Sequence, residues 1–502
     1  MRIKHANELA GAAWDTYQAG RQGHSGIARR QQDRLRALVA YARAHSLHFA
    51  DRYRDAPDDL SDVTQLPIVT KAELMRDFDQ WVTDPCVRRA EVETFIADPT
   101  RIGRDYLGRY VVCTTSGSTG TPAIVLHDQQ ALTVYNMLGY VRSLPTALMS
   151  LPGIWALIRG RGRMAAVFVT DGHFLGNTMM ARRLRAAPWR AGMQRLLSAL
   201  SPLGELVENL NDFQPVVLGG YPSVLELLAD EQLACRLHIS PVLISAAGET
   251  LTATARQHIT ETFGCRVTNY YGSSEAIGLT FECSSQRLHA NTDWYIVEPV
   301  DDHHQPVQPG QLSHDVLVTN LANRIQPIIR YPLGDRVVIG IESCSCGSPF
   351  PTIEVVGRTD DILLYRGFQG ESIHILPLAI ATVAEETPGV TTCQLIQRGP
   401  SNLTVRFIAA STRNKQQTWD ALRTRLAAYL AEQGASGVII ENDAQPPKLH
   451  PSSGKFRQVY ADCPGVNAGA RHAQRARRRG RKQGLTPPVQ FVGEVVLQRR
   501  YR

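Results

Sequence analysis

Between Pro215 and Tyr270 the chain alternates short, wholly apolar runs with longer amphipathic ones, a pattern that few folds accept. Val216, Val217 and Leu218 make a run of strand length, Pro222 opens a helical pattern, and Val242, Leu243 and Ile244 make the next strand. Leu251 to Phe263 is helical and stops at Gly264, after which Cys265 to Tyr270 forms a third strand. Consecutive strands joined through helices run parallel, so the expected fold class is α/β, with parallel sheets flanked by helices. Ligands in such sheets gather at the carboxyl ends of the strands. Two polar clusters fall there, Ser245-Ala246-Ala247-Gly248-Glu249-Thr250 and Tyr271-Gly272-Ser273-Ser274-Glu275, each with a carboxylate close to a glycine. A helix cap explains either one alone; two on consecutive strands make that less attractive.

Upstream, Val111 to Asp128 is an apolar run that breaks into VVCTTSGSTGTPAIVLHD and resumes as another apolar run. The pattern predicts strand, loop, strand. Thr114, Thr115, Ser116, Ser118, Thr119 and Thr121 offer hydroxyl donors, while Gly117 and Gly120 let backbone N–H groups approach an anion that a Cβ would hold away. The stretch fits a phosphate cradle and a polar hairpin turn equally well. It is not a Walker A loop, because Thr121-Pro122 stands where a lysine and a second hydroxyl belong.

The chain of 502 residues is too long for one compact core. Residues 26 to 48 carry Ile27, Leu35, Leu38, Val39 and Ala42 at helical spacing, and Thr70 with Glu73 forms a capping box that opens a helix reaching Trp81. Residues 129 to 143 are also helical in pattern. Beyond residue 313 the strands shorten, at Val316 to Thr319, Ile325 to Tyr331 and Arg336 to Ile341, with Gly334-Asp335 as a turn. After GRTDDILLYRG at 357 to 367 come a helix near Pro377 to Glu385, strands near Val390 to Ile396 and Leu403 to Ala409, a helix near Gln416 to Gln433, and a strand at Gly437 to Ile440. That is an α+β unit large enough to stand as a domain. It ends in HPSSGKFRQVY at 450 to 460.

The net charge of +7 is misleading as a guide to partners. Residues 464 to 502 hold ten Lys or Arg against one acid, which leaves 44 basic and 46 acidic groups in the body. The body therefore lacks the electrostatic footprint of specific nucleic-acid binding. The tail fits a disordered, solvated extension better than a contact for an acidic partner. The N-terminus has no apolar leader and no charge-free run is long enough to span a bilayer, so the expected location is cytoplasmic. Nine irregularly spaced cysteines then argue for reduced thiols or a metal.

Five motifs in order, TTSGSTGTP, SAAGET, NYYGSSE, YPLGD with GRTDD, and PSSGKFRQV, resemble the adenylate-forming acyl-CoA ligase superfamily, most closely its phenylacetate-CoA ligase-like branch, over roughly residues 30 to 460. The resemblance implies a large N-terminal domain (1–357) with parallel sheets and a short-stranded β region, a small mobile C-terminal domain (358–463), and the active site between them. It implies an AMP-forming acid-thiol ligase: a carboxylate attacks the ATP α-phosphate, pyrophosphate leaves, and a thiol then displaces AMP. Catalysis of that kind is positioning and charge neutralisation.

By the same resemblance, Thr115, Ser116, Gly117, Ser118, Thr119 and Gly120 would hold the β and γ phosphates, and Glu275 would ligate Mg²⁺. Tyr271 would lie against adenine, with Gly272, Ser273, Ser274, Gly248 and Glu249 around the nucleotide, and Asp335 would accept the ribose hydroxyls. Tyr221, Ser245, Ala246 and Ala247 would line the acyl pocket. Lys455 matches the catalytic lysine, Asp360 the hinge, and Arg358 sits in the hinge motif. The implied cofactors are ATP, Mg²⁺ and coenzyme A, and the implied substrate is an aromatic or similar carboxylic acid. Transfer to a carrier-protein pantetheine or an amine is the alternative, and an inactive nucleotide-binding relative is a second; a homodimer is left open. Two departures stand out: Thr121 replaces the loop lysine of many relatives, and residues 365 to 371 are less regular than the usual motif after the hinge.

Cys283 with His289 and Cys344 with Cys346 make two short ligand pairs whose softness suits tetrahedral Zn²⁺. The alternative is four unrelated residues in a cysteine-containing core. Part of the ligase branch carries a similar Cys-His-Cys-Cys site, and four protein ligands leave no position for water, so such a zinc would be structural.

Overall fold

The computed structural model describes residues 2–57, 59–115, 123–144, 155, 157–170, 172–356, 362–367, 370–410, 414–448 and 458–462. Three helices open the chain, α1 (Arg2–Arg21), α2 (Gly23–His45) and α3 (Leu47–Arg52). The strands follow as β1 (Val111–Thr114), β2 (Ile124–His127), β3 (Met164–Phe168), β4 (Gln194–Ser198), β5 (Val217–Gly220), β6 (Leu243–Ala247) and β7 (Arg266–Tyr270). The last five form one parallel sheet in the order β4-β3-β5-β6-β7, with helices as the crossovers. The alternation between Pro215 and Tyr270 thus builds three of the five strands of this sheet.

Short antiparallel sheets come next: β8 (Thr280–Glu282) with β9 (Leu288–Ala290), β10 (Tyr295–Val300) with β11 (Asp315–Asn320) and β12 (Ile328–Pro332), and β13 (Val337–Ile339) with β14 (Ile353–Val355). The C-terminal part has the hairpin β15 (Leu363–Arg366) and β16 (Ser372–Ile375), then a mixed sheet of β17 (Val390–Gly399), β18 (Asn402–Ala409), β19 (Ile439–Asn442) and β20 (Val459–Ala461), in the order β19-β18-β17-β20. Helices Pro377–Glu385 and Lys415–Glu432 cover it. One apolar core runs from β3, β5 and β6 through the helix Pro222–Leu233 into these C-terminal elements.

Several boundaries differ from the sequence expectation for local reasons. The helix expected over 26 to 48 breaks at Ser46, whose extended backbone lets its side chain cap the amide of Phe49 at 3.4 Å. The capping box of Thr70 and Glu73 is present, but the helix it opens ends at Arg76 and a separate turn runs from Phe78 to Trp81, because Asp77 leaves helical geometry. The strand expected from Ile325 starts at Ile328. Ile325 spends its carbonyl on the Thr83 amide, and the Gln326 side chain bonds the β2 backbone at Leu126 (2.7 Å) and Ile124 (3.3 Å). The helix over 129 to 143 is α-helical to Leu138 and then widens into a π-turn, Gly139–Ser143.

That π-turn carries Arg142, which is 7 % exposed and reaches both carboxylate oxygens of the fully buried Asp293 at 2.8 Å. Arg142 also donates to Asn291 Oδ1 (2.6 Å) and to the Thr16 carbonyl on α1 (3.1 Å), tying the N-terminal helix to the sheet region. Removing one partner of a buried bidentate pair leaves the other charge poorly compensated, here with Arg34 Nη1 at 3.6 Å from Asp293 Oδ2 as the remaining cation among the described residues. Arg142→Met is therefore expected to cost about 3–5 kcal/mol in urea unfolding, and adding Asp293→Leu is expected to restore part of the loss.

Candidate active site

A cavity of about 2050 Å³ opens at the carboxyl ends of β5, β6 and β7, and the C-terminal part contributes Ile362, Thr382 and Gln458 to its wall. It is roomier than the ~300–1,000 Å³ of a typical single-ligand pocket. Both polar clusters named from the sequence reach it, through Ala247, Gly248, Glu249 and Tyr271 to Glu275. Asp335, sixty-four residues beyond Tyr271, meets it there: the Tyr271 hydroxyl donates to Asp335 Oδ2 at 3.1 Å.

Backbone space explains two of the glycines. A Cβ on Gly272 would lie 2.9 Å from the Ala276 carbonyl and from the Tyr270 hydroxyl, and one on Gly248 would lie 2.8 Å from the Tyr221 ring. Gly248 also has φ +85°, where a side chain is strained. The Tyr221 ring meets Phe168 edge-on at 5.0 Å between centroids, and its hydroxyl accepts from the Val169 amide at 3.3 Å. With Phe174 these rings form an apolar lobe of the cavity. Glu249 accepts from the Ser223 amide at 3.0 Å, at the start of the helix Pro222–Leu233.

Two acyl-pocket expectations need correction. Ala246 is fully buried in the apolar core, because alternation along β6 turns it to the face opposite Ala247. Ser245 does not line the cavity either. Residues 116 to 120 of the hydroxyl loop, Arg358, Asp360 and Lys455 lie outside the described residues. The loop's base is described: the Thr115 amide and hydroxyl pair with the Ala123 carbonyl (3.0 Å) and amide (2.9 Å), and the Thr114 amide donates to the His173 carbonyl at 2.9 Å.

Glu275 is 7 % exposed, and its Oε1 accepts from the Tyr331 hydroxyl at 3.0 Å. Its other oxygen has no hydrogen-bond partner among the described residues, and the carboxylate lines the cavity. A hard oxygen donor held from one side suits a divalent cation such as Mg²⁺. Burial and the adjacent Glu275 charge push the Tyr331 phenol well above its ordinary range, so it stays a donor. Sequence reasoning quoted YPLGD for Asp335 and missed Tyr331, whose signal was a tyrosine ending an apolar strand just before that turn.

Flanking the cavity-lining segment Ser285–Leu288, Cys283, His289, Cys344 and Cys346 bring one ligand atom each to within 4.8 Å of one another. The Cys283 and Cys344 sulfurs lie 3.8 Å apart, and Cys346 Sγ lies 3.4 Å from His289 Nε2. Zinc–sulfur bonds of about 2.3 Å at a tetrahedral angle put sulfurs roughly 3.8 Å apart, so the donor set has the spacing of a metal knot. His289 Nδ1 sits 2.7 Å from the Phe350 carbonyl, which makes it the protonated nitrogen and turns Nε2 inward. Burial lowers the His289 pKa, keeping the ring neutral as a ligand must be.

The chain belongs to the AMP-binding enzyme family, whose pattern matches residues 31–312. It is 27 % identical over 378 residues to a phenylacetate-coenzyme A ligase of Thermus thermophilus, an alignment covering 72 % of this chain and 75 % of that one. It is also 27 % identical over 242 residues to protein CapK of Staphylococcus aureus, covering 46 % and 51 %. In fold it is similar to a solved 2-hydroxyisobutyryl-CoA ligase in complex with 2-HIB-AMP and CoA, with a TM-score of 0.56, 18 % identity, and 91 % and 94 % of the two chains covered.

On the cavity wall, burial and the charges of Asp230 and Glu249 push the Glu226 carboxyl up to about 7. The folded state then holds a proton that an unfolded glutamate, with a pKa of about 4.3, releases earlier, so this stability is present at low pH and lost as pH rises through 7. Glu226→Gln is expected to raise the melting temperature at pH 8, by the equivalent of roughly 2 kcal/mol, and to leave it nearly unchanged at pH 4.

Proposed function

We propose that the protein activates an aromatic carboxylic acid as its acyl-adenylate and passes the acyl group to coenzyme A, releasing pyrophosphate and then AMP. The observation that carries this reading is that Tyr271, bonded to Asp335, and Glu275 line the same cavity as Phe168, Phe174 and Tyr221. In this reading adenine lies against Tyr271, and the Asp335 carboxylate exchanges its bond with Tyr271 for the ribose hydroxyls. The acid's ring fills the aromatic lobe. Glu275, oriented by Tyr331, would hold Mg²⁺, which when bound would supply positive charge to offset that building on the leaving pyrophosphate.

The substrate carboxylate oxygen attacks the α-phosphorus, the bond to the bridging oxygen breaks, and Lys455 offers its cation to the carboxylate and α-phosphate. The thiol sulfur then attacks the acyl carbon and AMP leaves with the bonding pair. Residues 1–357 and 358–463 form the two domains, and Asp360 with Arg358 marks the hinge between the half-reactions. We also assign Cys283, His289, Cys344 and Cys346 to a structural Zn²⁺. Two analogous names support the ligase reading, the phenylacetate-coenzyme A ligase in sequence and the 2-hydroxyisobutyryl-CoA ligase in fold.

Pyrophosphate release screened over aryl, heteroaryl and aliphatic acids is expected to peak with an aryl acid, and free coenzyme A is expected to give the thioester. Lys455→Ala is expected to cut ATP–pyrophosphate exchange by about 10²–10³-fold; exchange that survives the change removes the lysine from the mechanism. Tyr331→Phe is expected to raise the Mg²⁺ concentration needed for half-maximal rate roughly tenfold, in line with loss of a group that orients a metal ligand. Elemental analysis is expected to find one zinc per chain, lost together with several degrees of melting temperature in Cys344→Ser/Cys346→Ser.

A further inference from the structure

Residues 141 to 204 contain nine arginines, no lysine and a single acid, Asp171, inside a body whose charges otherwise balance. Arg142 and Arg182 pair with Asp293 and Asp105. Among the described residues no carboxylate pairs with Arg159, Arg161 or Arg190, while Arg163 donates to the Gln214 carbonyl and Arg195 to the Asn209 carbonyl. Arg159 and Arg161 are exposed and Arg190 is half-buried, and their segments also carry exposed apolar side chains. Trp155, Ile158 and Arg159 fall at i, i+3 and i+4 spacing and so share one helix face, with Trp155 68 % and Ile158 63 % exposed. Leu157, on the other side, packs with Val216, Val217 and Leu243.

The turn that follows closes through the Gly162 amide on the Leu157 carbonyl at 2.8 Å. It lies against the neighbouring turn, since a Cβ on Gly162 would sit 3.6 Å from Met193 Cε and the Met164 amide donates to the Met193 carbonyl. That neighbour, Pro188–Gly192, presents Trp189, 68 % exposed, with the Arg190 guanidinium 4.9 Å from its ring. Two tryptophans, an isoleucine, the exposed Arg159 and Arg161 and the half-buried Arg190 thus belong to two turns in contact with each other. It lies at the amino ends of β3 and β4, while the cavity lies at the carboxyl ends of the sheet.

We infer that this face docks on an anionic lipid surface. Tryptophan rings seat at the headgroup boundary, and arginines meet lipid phosphates in their plane. Ile158 favours lipid over nucleic acid, because an exposed aliphatic chain gains from the acyl boundary and adds nothing to a base stack. An acidic carrier protein delivering a thiol is disfavoured by position, since strands of five residues put roughly 15 Å or more between this face and the cavity mouth. Docking here leaves that mouth facing the aqueous side.

The test is co-sedimentation of the full chain with phosphatidylcholine vesicles, with and without phosphatidylglycerol. Expected is binding to the mixed vesicles that weakens with salt and falls roughly tenfold or more in Trp155→Ala/Trp189→Ala and, separately, in Arg159→Gln/Arg161→Gln/Arg190→Gln. Should the tryptophan variant misfold, as judged by its melting curve, the arginine variant decides. Unchanged binding in a folded variant would assign the affinity to another segment, such as the basic tail, and overturn the inference. So would absent vesicle binding together with a dimer that the same variants dissociate, which makes the face an interface between copies.

Discussion

Arg330 sits in β12 with φ +50°, a left-handed backbone that costs a non-glycine residue roughly 1 kcal/mol or more. What holds it there is a dense set of partners. Its guanidinium meets both oxygens of the buried Glu298 at 3.1 and 3.2 Å and the carbonyls of Leu66 (2.7 Å) and Thr64 (3.1 Å), while its amide donates to Thr319 Oγ1 at 2.9 Å. The result is a bulge: Asn320 faces Ile328 and Val318 faces Tyr331, so Ile329 and Arg330 together oppose Thr319. One extra residue reverses which face the following side chains occupy. Tyr331 is aimed at Glu275 by that reversal, and the strain therefore belongs to the site.

The same antiparallel sheet holds Glu275 a second time. Asn320 Nδ2 donates to the Glu275 carbonyl at 2.9 Å and lies 2.8 Å from the Tyr135 hydroxyl. Glu275 follows β7 of the parallel sheet, yet its backbone and its carboxylate are both fixed from β11 and β12. A carboxylate placed by one sheet and oriented by another has little rotamer freedom left, which favours a cation that tolerates only narrow geometry.

This division explains what was legible in the sequence. The parallel sheet was readable because its strands are continuous apolar runs, and Tyr271, Gly248 and Glu275 were readable because strand ends of such sheets carry ligands. That Cys283, His289, Cys344 and Cys346 would cluster was readable from their paired spacing. The bulge was not: nothing in Ile328-Ile329-Arg330-Tyr331 announces a left-handed arginine, since its cause is Glu298 and the 64–66 segment, distant in sequence. Ala246 failed for a related reason. A motif read as a string assigns neighbours one role, whereas a strand sends them to opposite faces.

The Cys283–His289–Cys344–Cys346 cluster flanks the cavity wall at Ser285–Leu288, and hydrogen bonds made just beyond His289 lead to the Glu275 segment. His289 lies in β9, two residues before Asn291, whose side chain donates to the Gly278 carbonyl at 2.7 Å and whose amide donates to the Leu279 carbonyl at 2.9 Å. Tyr295 adds a bond from its hydroxyl to the Ile277 carbonyl. Residues 277 to 279 directly follow the Glu275–Ala276 pair, so the segment that leaves the knot braces the segment that leaves the carboxylate. Asn291 is also held by Arg142, and the Arg142 guanidinium stacks 4.2 Å from the Phe350 ring, beside the carbonyl that orients His289. Loss of the cluster would thus reach Glu275 through the 277–279 segment, as misplacement of its backbone.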